Sequence, residues 1–572
     1  MNEPLKSDAS SDQPSRGTKE SVGTESSAGL SRRGFLGGVG TVAAALATSA
    51  VPTLERTADA AEVGPEIGSA RLNSAYQKRI DAADRMLAVG MPAHPCNGDE
   101  TLYANRIGNY SKGLPHNALG EVNAAAYAAW LTALTSGDPA DFEAIPLGGA
   151  RKLTNPQAGL AFDTEGNDPH QFVQPPAPTL ASAEEAGEMV ELYWMALLRD
   201  THFDRYENSA LAEAAAKELS DLSDFRGPKQ GGQVTLQTLF RDDLPGCTEG
   251  PYLSQFMLKP TPFGAEFVER RMWTLRPGSD HGTSFSDWLA IQNGNVPGTA
   301  QFANQRRYIR NGRDLSEWVH IDVLFQAYFN ACLILGTPPD NSDTRGGIGC
   351  PVNPGNPYNA SATQIGFGTW GPPGIKAVLC EVASRALKAV WFQKWFVHRR
   401  LRPEEFGGRV HVRKSGLAAY PLHPEVLQSE VVDRVRSKYG TYLLPLAFPE
   451  GSPTHPAYGA GHATVAGACV TILKAYFDES FVIPNPVVIN GGGTQLQPYN
   501  GGSLTVGGEL NKLASNVATG RNIAGVHWRT DALESLRLGE QIAIAVLQDH
   551  KAGFNEVGSF QFTDFAGNPV VI

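Results

Sequence analysis

Three short segments in the C-terminal part of this 572-residue chain carry residue types that bind and act on oxyanions. The first sets Lys394 and Arg402 eight residues apart, with His398, Arg399 and Arg400 between them and Pro403 directly after. A proline disfavours helical geometry at the residue before it, so a helix should end here, and a loosened last turn would let Lys394 and Arg402 reach one anion. The second segment runs from Ser452 through His455 to Gly459-Ala460-Gly461-His462, just before an apolar stretch over 465–477 that should be helical. Small residues ahead of a helix let backbone N–H groups approach an oxyanion, and the positive helix end favours it. The third contains Arg521, His527 and Asp531. At a spacing of four, the carboxylate can hold one imidazole N–H and leave the other nitrogen free as nucleophile or ligand. Taken singly, a basic helix end compensates a helix dipole and a capping histidine is structural. Together the segments supply one lysine, two arginines, two histidines, an orienting carboxylate and a Gly-rich turn, a set suited to a phosphate-shaped ion.

These groups need a scaffold. Apolar periodicity predicts helices over 71–89, 181–198, 318–335 and 375–398, with Met189, Tyr193, Ala196 and Leu197 on one face of the second. Pro/Gly/Asn-rich connections over 136–180, 226–260, 336–374 and 484–508 are long enough to form walls or subunit contacts. Short strands are predicted at 410–412 and 487–489, outside any recognisable sheet. There is no internal repeat and no βα alternation. The expected class is all-α with minor β and long loops: a leader over 1–62, an N-terminal helical region over 63–310 and a catalytic helical-bundle region over 311–572.

Composition excludes other classes. With 48 basic against 59 acidic residues the chain carries a net charge of −11, so a broad nucleic-acid surface is ruled out and any anion site is a local exception. The six cysteines, Cys96, Cys247, Cys332, Cys350, Cys380 and Cys469, show no CxxC spacing, which argues against a zinc framework and leaves room for one or two disulfides. Residues 1–30 are too polar to order themselves. Arg32-Arg33, a weakly apolar run over 37–51 and Ala58-Asp59-Ala60 then read as a twin-arginine export signal, directing the folded chain to the periplasm or the cell exterior. The strongest later apolar stretch, 318–335, contains His320 and Asp322 and stops at Gly336, so no stable membrane span is predicted.

The three segments resemble the motif shared by vanadium-dependent haloperoxidases and the type 2 phosphatidic acid phosphatase superfamily: Lys…Arg-Pro, then Ser-Gly-His, then Arg with five residues to His and three more to Asp. All three occur in that order, and the segments 188–200 and 250–256 are similar to stretches of algal and bacterial haloperoxidases, so the resemblance spans most of 70–550. Seven residues between Lys394 and Arg402, and His455 seven before His462, are similar to algal-type bromoperoxidases, whereas Trp391 is closer to chloroperoxidases. One departure is Ala460, where the family carries the Ser of Ser-Gly-His. A hydrogen bond to a charged group contributes about 1.5 to 3 kcal/mol, so its loss implies roughly ten- to a hundredfold weaker cofactor binding.

The resemblance implies a helical-bundle fold and a vanadate cofactor with vanadium on His527. It implies that Asp531 fixes the His527 tautomer, that Lys394, Arg402, Arg521 and the Gly461 N–H hold oxyanion oxygens, and that His462 acts as acid and base. His455 and Trp391 become candidates for the halide pocket. The implied partners are hydrogen peroxide, halide (bromide favoured) and small organic substrates that hypohalous acid halogenates, in a homo-oligomer with no haem or flavin. The same residues suit an exported acid phosphatase, with His527 attacking phosphorus and His462 protonating the leaving alcohol, or a silent binding protein that kept the pocket.

Overall fold

The computed structural model describes residues 63–339 and 346–572. The predicted leader and twin-arginine segment therefore lie outside the described residues. Backbone packing separates two units, Met1–Asn73 and Ser74–Ile572, and every candidate functional group belongs to the second. The helix predicted at 71–89 is present as Gly68–Val89. The helices that build the site are α1 (Ala183–Leu198), α2 (Gly312–Trp318), α3 (Gln326–Gly336), α4 (Pro372–Phe392), α5 (Pro403–Lys414), α6 (Gly461–Tyr476), α7 (Val506–Ile523) and α8 (Arg529–Gly553).

Local chemistry sets their ends. Ser182 starts α1 by accepting the Glu185 N–H at 3.1 Å, and Thr505 starts α7 by accepting that of Gly508 at 3.2 Å. Helix α4 opens with Pro372 and Pro373, where a missing N–H costs nothing. It then widens into six π-helical residues, Gln393–His398, and ends with Arg399 at φ 45°. The strand predicted at 410–412 is instead part of α5. Pro403 at the first helical position, Glu404 and Glu405 in the first turn and His411, Arg413 and Lys414 in the last all favour a helix, and Val410 and Val412 are buried by packing on it.

The continuous helix predicted over 318–335 is also corrected. It breaks between α2 and α3, where residues 319–325 are non-helical. Val319, Ile321 and Val323 are β-branched and Asp322 is a poor helix former, so local propensity does not resist the break, and tertiary partners claim His320 and Asp322.

Helix α6 runs through the middle of the bundle against α4, α7 and α8, buried over nearly its whole length. The α6–α8 contact brings backbones together. A β-carbon on Gly467 would overlap the Leu536 carbonyl, and one on Gly539 would overlap that of Thr464. The minor β content is four two-stranded antiparallel hairpins: β1 (Thr261–Phe263) with β2 (Glu266–Val268), β3 (Met272–Leu275) with β4 (Phe302–Arg307), β5 (Val487–Ile489) with β6 (Leu496–Pro498), and β7 (Gln561–Thr563) with β8 (Pro569–Val571). The strand predicted at 487–489 is thus real and pairs Val488 with Gln497. All six cysteines are free thiols, so the disulfides for which the composition left room do not form. Among the described residues, no helix is long and apolar enough to cross a membrane.

Because α6 and α8 touch backbone to backbone, Gly539→Val should overpack the contact and cost roughly 1 to 3 kcal/mol, seen as an earlier denaturant midpoint. An unchanged midpoint would show that the helices tolerate separation there.

Candidate active site

Arg402 is the hub on which the three segments meet. It is the N-cap of α5 and fully buried. Its Nε donates to the His455 carbonyl at 2.8 Å and its Nη1 to the Val526 carbonyl at 2.7 Å. Nη1 also lies 3.0 Å from His527 Nε2, and Nη2 lies 2.8 Å from His455 Nδ1. Lys394 Nζ approaches the same His455 nitrogen at 2.8 Å while lying over the Trp391 ring, 4.8 Å from its centroid. With two donors facing it, His455 Nδ1 is an acceptor and the ring proton sits on Nε2. Lys394 and Arg402 do not share a helix end as expected: the left-handed turn at Arg399 separates the π-helical turn from α5, and the two cations converge through the fold.

The His527–Asp531 pair is likewise not two neighbours within one helix. Trp528 is the N-cap of α8, and Asp531 in the first turn accepts both the Trp528 N–H at 3.1 Å and the His527 Nδ1 proton at 2.9 Å. This capping geometry fixes the imidazole and leaves the Nε2 lone pair facing Arg402. Behind it, Arg400 donates to the second Asp531 oxygen at 2.9 Å and also binds Glu185 and Glu188 of α1, with Glu188 at 3.0 Å.

Arg521, in the last turn of α7, donates from Nη1 to the Val319 carbonyl at 2.7 Å and lies 5.6 Å from the Phe448 ring centroid. Its Nε is buried without a hydrogen-bond partner. Gly461 is the first residue of α6, and a β-carbon there would press on Trp391 at 3.1 Å, so the small residue lets the helix start against the indole. His462 follows, with Nε2 3.2 Å from Asp322 Oδ1 and its side chain 31% exposed, which gives this histidine the access to solvent that buried His527 lacks. Ala460 is the N-cap of α6 and caps it with no side-chain oxygen; its own N–H donates to Ser535 Oγ at 2.8 Å.

The electrostatics are one-sided. Burial, with Arg402 beside it, pushes the Lys394 ammonium well below its ordinary pKa. Burial and the surrounding cations do the same to His455 and His527, and burial lowers Arg521 to about 10. Burial also lowers His462, against the pull of Asp322, and raises Asp531 to about 6 despite Arg400. Several other buried cations have carboxylates, Lys112 with Glu404 at 2.6 Å, Arg199 with Asp280 at 2.6 Å, and Arg529 with Glu191 and Asp242, whereas Arg409 stands apart from the site and is held by the Ile107 and Gly120 carbonyls. Among the described residues, Lys394, Arg402 and Arg521 form no ion pair with any carboxylate. Three unneutralised buried cations, an orphaned Arg521 Nε, a helix N-terminus and a histidine with a free lone pair fit a tetrahedral oxyanion that also takes a nitrogen ligand. The residues therefore fit vanadate.

His455 and Trp391 stand together, with ring centroids 4.9 Å apart, next to Lys394. A separate cleft of about 440 Å³, lined in part by Phe203, Arg241 and Tyr499, includes none of the site residues. Three residues that touch the site were missed in the sequence. Asp322 was counted only as a charge against a membrane span, Arg400 was read with its neighbours as a basic helix end, and Glu188 was one position of a resembling segment. The sequence carries a signal for Glu188: Glu185, Glu188 and Glu191 repeat every three residues on a helix whose other residues, apart from Glu184 in the first turn, are apolar or glycine.

A tetrahedral anion should therefore stabilise the protein. At about 100 times its Kd, inorganic phosphate or vanadate contributes about 2.7 kcal/mol, so the thermal midpoint should climb with concentration and stop climbing in Arg521→Met. A midpoint insensitive to both anions would mean that the cations do not form a binding site.

Residues 381–556 match the family model of the VCPO second helical-bundle domain. The vanadium-dependent bromoperoxidase of Corallina officinalis is 34% identical, aligned over 88% of this chain and 98% of that protein. The enzyme of the same name from Ascophyllum nodosum is 34% identical over 87% of this chain and 92% of its own. The homohexameric structure of the second vanadate-dependent bromoperoxidase of Ascophyllum nodosum superposes with a TM-score of 0.85 at 31% identity, covering 93% of this chain and 95% of that one. On this likeness, which runs nearly end to end and includes all three anion-binding segments, the chain belongs to the vanadium-dependent bromoperoxidase family.

Proposed function

We propose that this protein is a vanadate-dependent haloperoxidase that oxidises halide, bromide by preference, with hydrogen peroxide to hypohalous acid, which then halogenates small organic molecules. In the overall reaction the halide gives two electrons to peroxide, one proton is consumed, and hypohalous acid and water leave. The observation that carries this reading is the unneutralised trio Lys394, Arg402 and Arg521 around the unprotonated Nε2 of His527. Lys394, Arg402, Arg521 and the Gly461 N–H would hold the oxygens of vanadate, and His527 Nε2 its vanadium. Bound there, vanadate supplies a Lewis-acid centre that makes hydrogen peroxide electrophilic.

The chain's own residues do the rest. Asp531, backed by Arg400, keeps the His527 proton on Nδ1 so that Nε2 retains its lone pair as a ligand. His462, the more exposed histidine, exchanges protons with incoming peroxide and solvent, with Asp322 holding its ring. Lys394 sits against His455 and Trp391, and this wall is where halide approaches. The chain is taken to work as a homo-oligomer, a reading supported by the homohexameric relative. Arg32-Arg33 support export to the periplasm or beyond; replacing both by Lys should retain the chain in the cytoplasm, and unaltered export would refute that route.

Bromination of a phenol-type dye should require peroxide, bromide and vanadate together, and His527→Ala, which removes the nitrogen assigned to vanadium, should abolish it. An undiminished rate in that variant, or hydrolysis of an aryl phosphate without bromination, would overturn the assignment. Ala460→Ser restores a hydroxyl at the start of α6 and should tighten vanadate binding about tenfold. Unchanged affinity with a raised thermal midpoint would show that the hydroxyl caps the helix instead.

A further inference from the structure

Between α2 and α3 the chain touches the active site twice. The Val319 carbonyl accepts from Arg521 Nη1 at 2.7 Å, and Asp322 Oδ1 lies 3.2 Å from His462 Nε2. Val319 is buried in the core, yet packing holds the residues after it weakly. Ile321 and Val323 are 72% and 58% exposed. The backbone N–H bonds there are local, from Ile321 N–H to the Glu317 carbonyl, from Val323 N–H to Gln326 Oε1 and from Gln326 N–H to the Val323 carbonyl. Beyond Val319 the turn has little apolar burial of its own, opens easily and cannot by itself hold the Asp322 carboxylate to the tolerance that a proton-transfer group needs.

His320 supplies a tie across to a rigid wall. Its Nε2 lies 2.7 Å from Glu450 Oε1, its Nδ1 3.3 Å from Glu317 Oε2, and its ring stacks on Phe448 with centroids 3.7 Å apart and an 11° tilt. The wall is anchored from behind. Phe448 is buried with Ala447, Ala524 and Val526, and the Ala447 N–H donates to the Ala524 carbonyl at 3.1 Å. Lys112 Nζ donates to the Glu450 and Ser452 carbonyls at 2.7 and 2.6 Å and pairs with Glu404. The Phe448 ring also carries the Arg521 guanidinium. One imidazole thus ties an exposed turn to the same wall that supports a site arginine.

We propose that His320 is a positioning residue, clamping residues 319–322 to the Phe448–Glu450 wall so that the Val319 carbonyl holds Arg521 and the Asp322 carboxylate holds His462. The inference deepens the reading of the site as a vanadate site and rests on it. The charge state suits a clamp. Burial would lower the His320 pKa, but hydrogen bonds to Glu317 and Glu450 raise it above the ordinary value, so both nitrogens can donate. None of its contacts involves a group that holds the oxyanion, so its effect must pass through Val319 and Asp322.

The test uses the full vanadate-free chain with His320→Ala and, in case that variant folds poorly, Glu450→Gln, which removes one end of the clamp at constant size. Two quantities are read: the calorimetric Kd for inorganic vanadate, and the nitrogen NMR signal of the His462 imidazole, which reports its contact with Asp322. His320→Ala should weaken vanadate binding about tenfold and Glu450→Gln by a smaller factor, with the His462 signal displaced in both. His320→Gln, which keeps one donor toward Glu450, should recover part of the affinity. A Kd within about twofold of the unaltered protein and an unmoved His462 signal, even with a lowered thermal midpoint, would reduce His320 to a structural role and overturn the proposal. If the unaltered protein binds vanadate without brominating, the functional reading fails while the Kd comparison still decides the clamp. If it binds no vanadate, the His462 signal alone decides.

Discussion

Three buried cations without a carboxylate among them set the terms for the rest of this fold. Burying a charge costs several kcal/mol unless a partner offsets it, and the chain pairs several other buried cations with carboxylates, among them Lys112, Arg400 and Arg529. At Lys394, Arg402 and Arg521 it withholds them and supplies neutral acceptors instead: carbonyls of His455, Val526 and Val319 and the lone pairs of two histidines. The missing negative charge is what an oxyanion brings. A site built this way binds its ion strongly because the protein without it is held in an electrostatically unfavourable state.

Keeping that state intact requires a scaffold that does not relax. The backbone contact of α6 with α8 fixes the turn before Gly461 relative to the start of α8, where Asp531 and His527 sit. The α1 carboxylates Glu185 and Glu188 hold Arg400, Arg400 holds Asp531, and Asp531 holds His527. Such a chain of charge-assisted bonds carries the position of α1 through to the His527 ring. The one member with solvent access, His462, depends on the least buried connection, the turn carrying Asp322.

The residue types at the site were legible in the sequence because anion chemistry admits few of them. Lys394, Arg402, Gly461, His462, Arg521, His527 and Asp531 could be singled out by type and spacing, and the structure brings their segments together. How they come together was not legible. The relation of Lys394 to Arg402 depends on a left-handed residue at Arg399, and that of His527 to Asp531 on a helix start one residue later than the motif suggests. Asp322 and His320 were hidden for a different reason: local apolar periodicity favours a helix across 318–335, and only distant partners, His462 and Glu450, break it. Val410 and Val412 show the converse, a β-prone pair overruled by the capping and charge pattern of α5. Propensity is a short-range quantity: at 319–325 contacts far apart in the chain overrode it, and at Val410 and Val412 the helix signals of the flanking residues outweighed it.

The central claim is that the cation cluster is starved of negative charge, and proton linkage tests it most directly. Sulfate has the required tetrahedral shape and does not itself titrate near neutral pH, so any proton exchanged on binding belongs to the protein. Calorimetric titration with sulfate in buffers of different ionisation heat should show binding with net proton uptake, because an anion raises the depressed pKa values of Lys394 and His455. Absence of binding, or binding with proton release, would contradict the account.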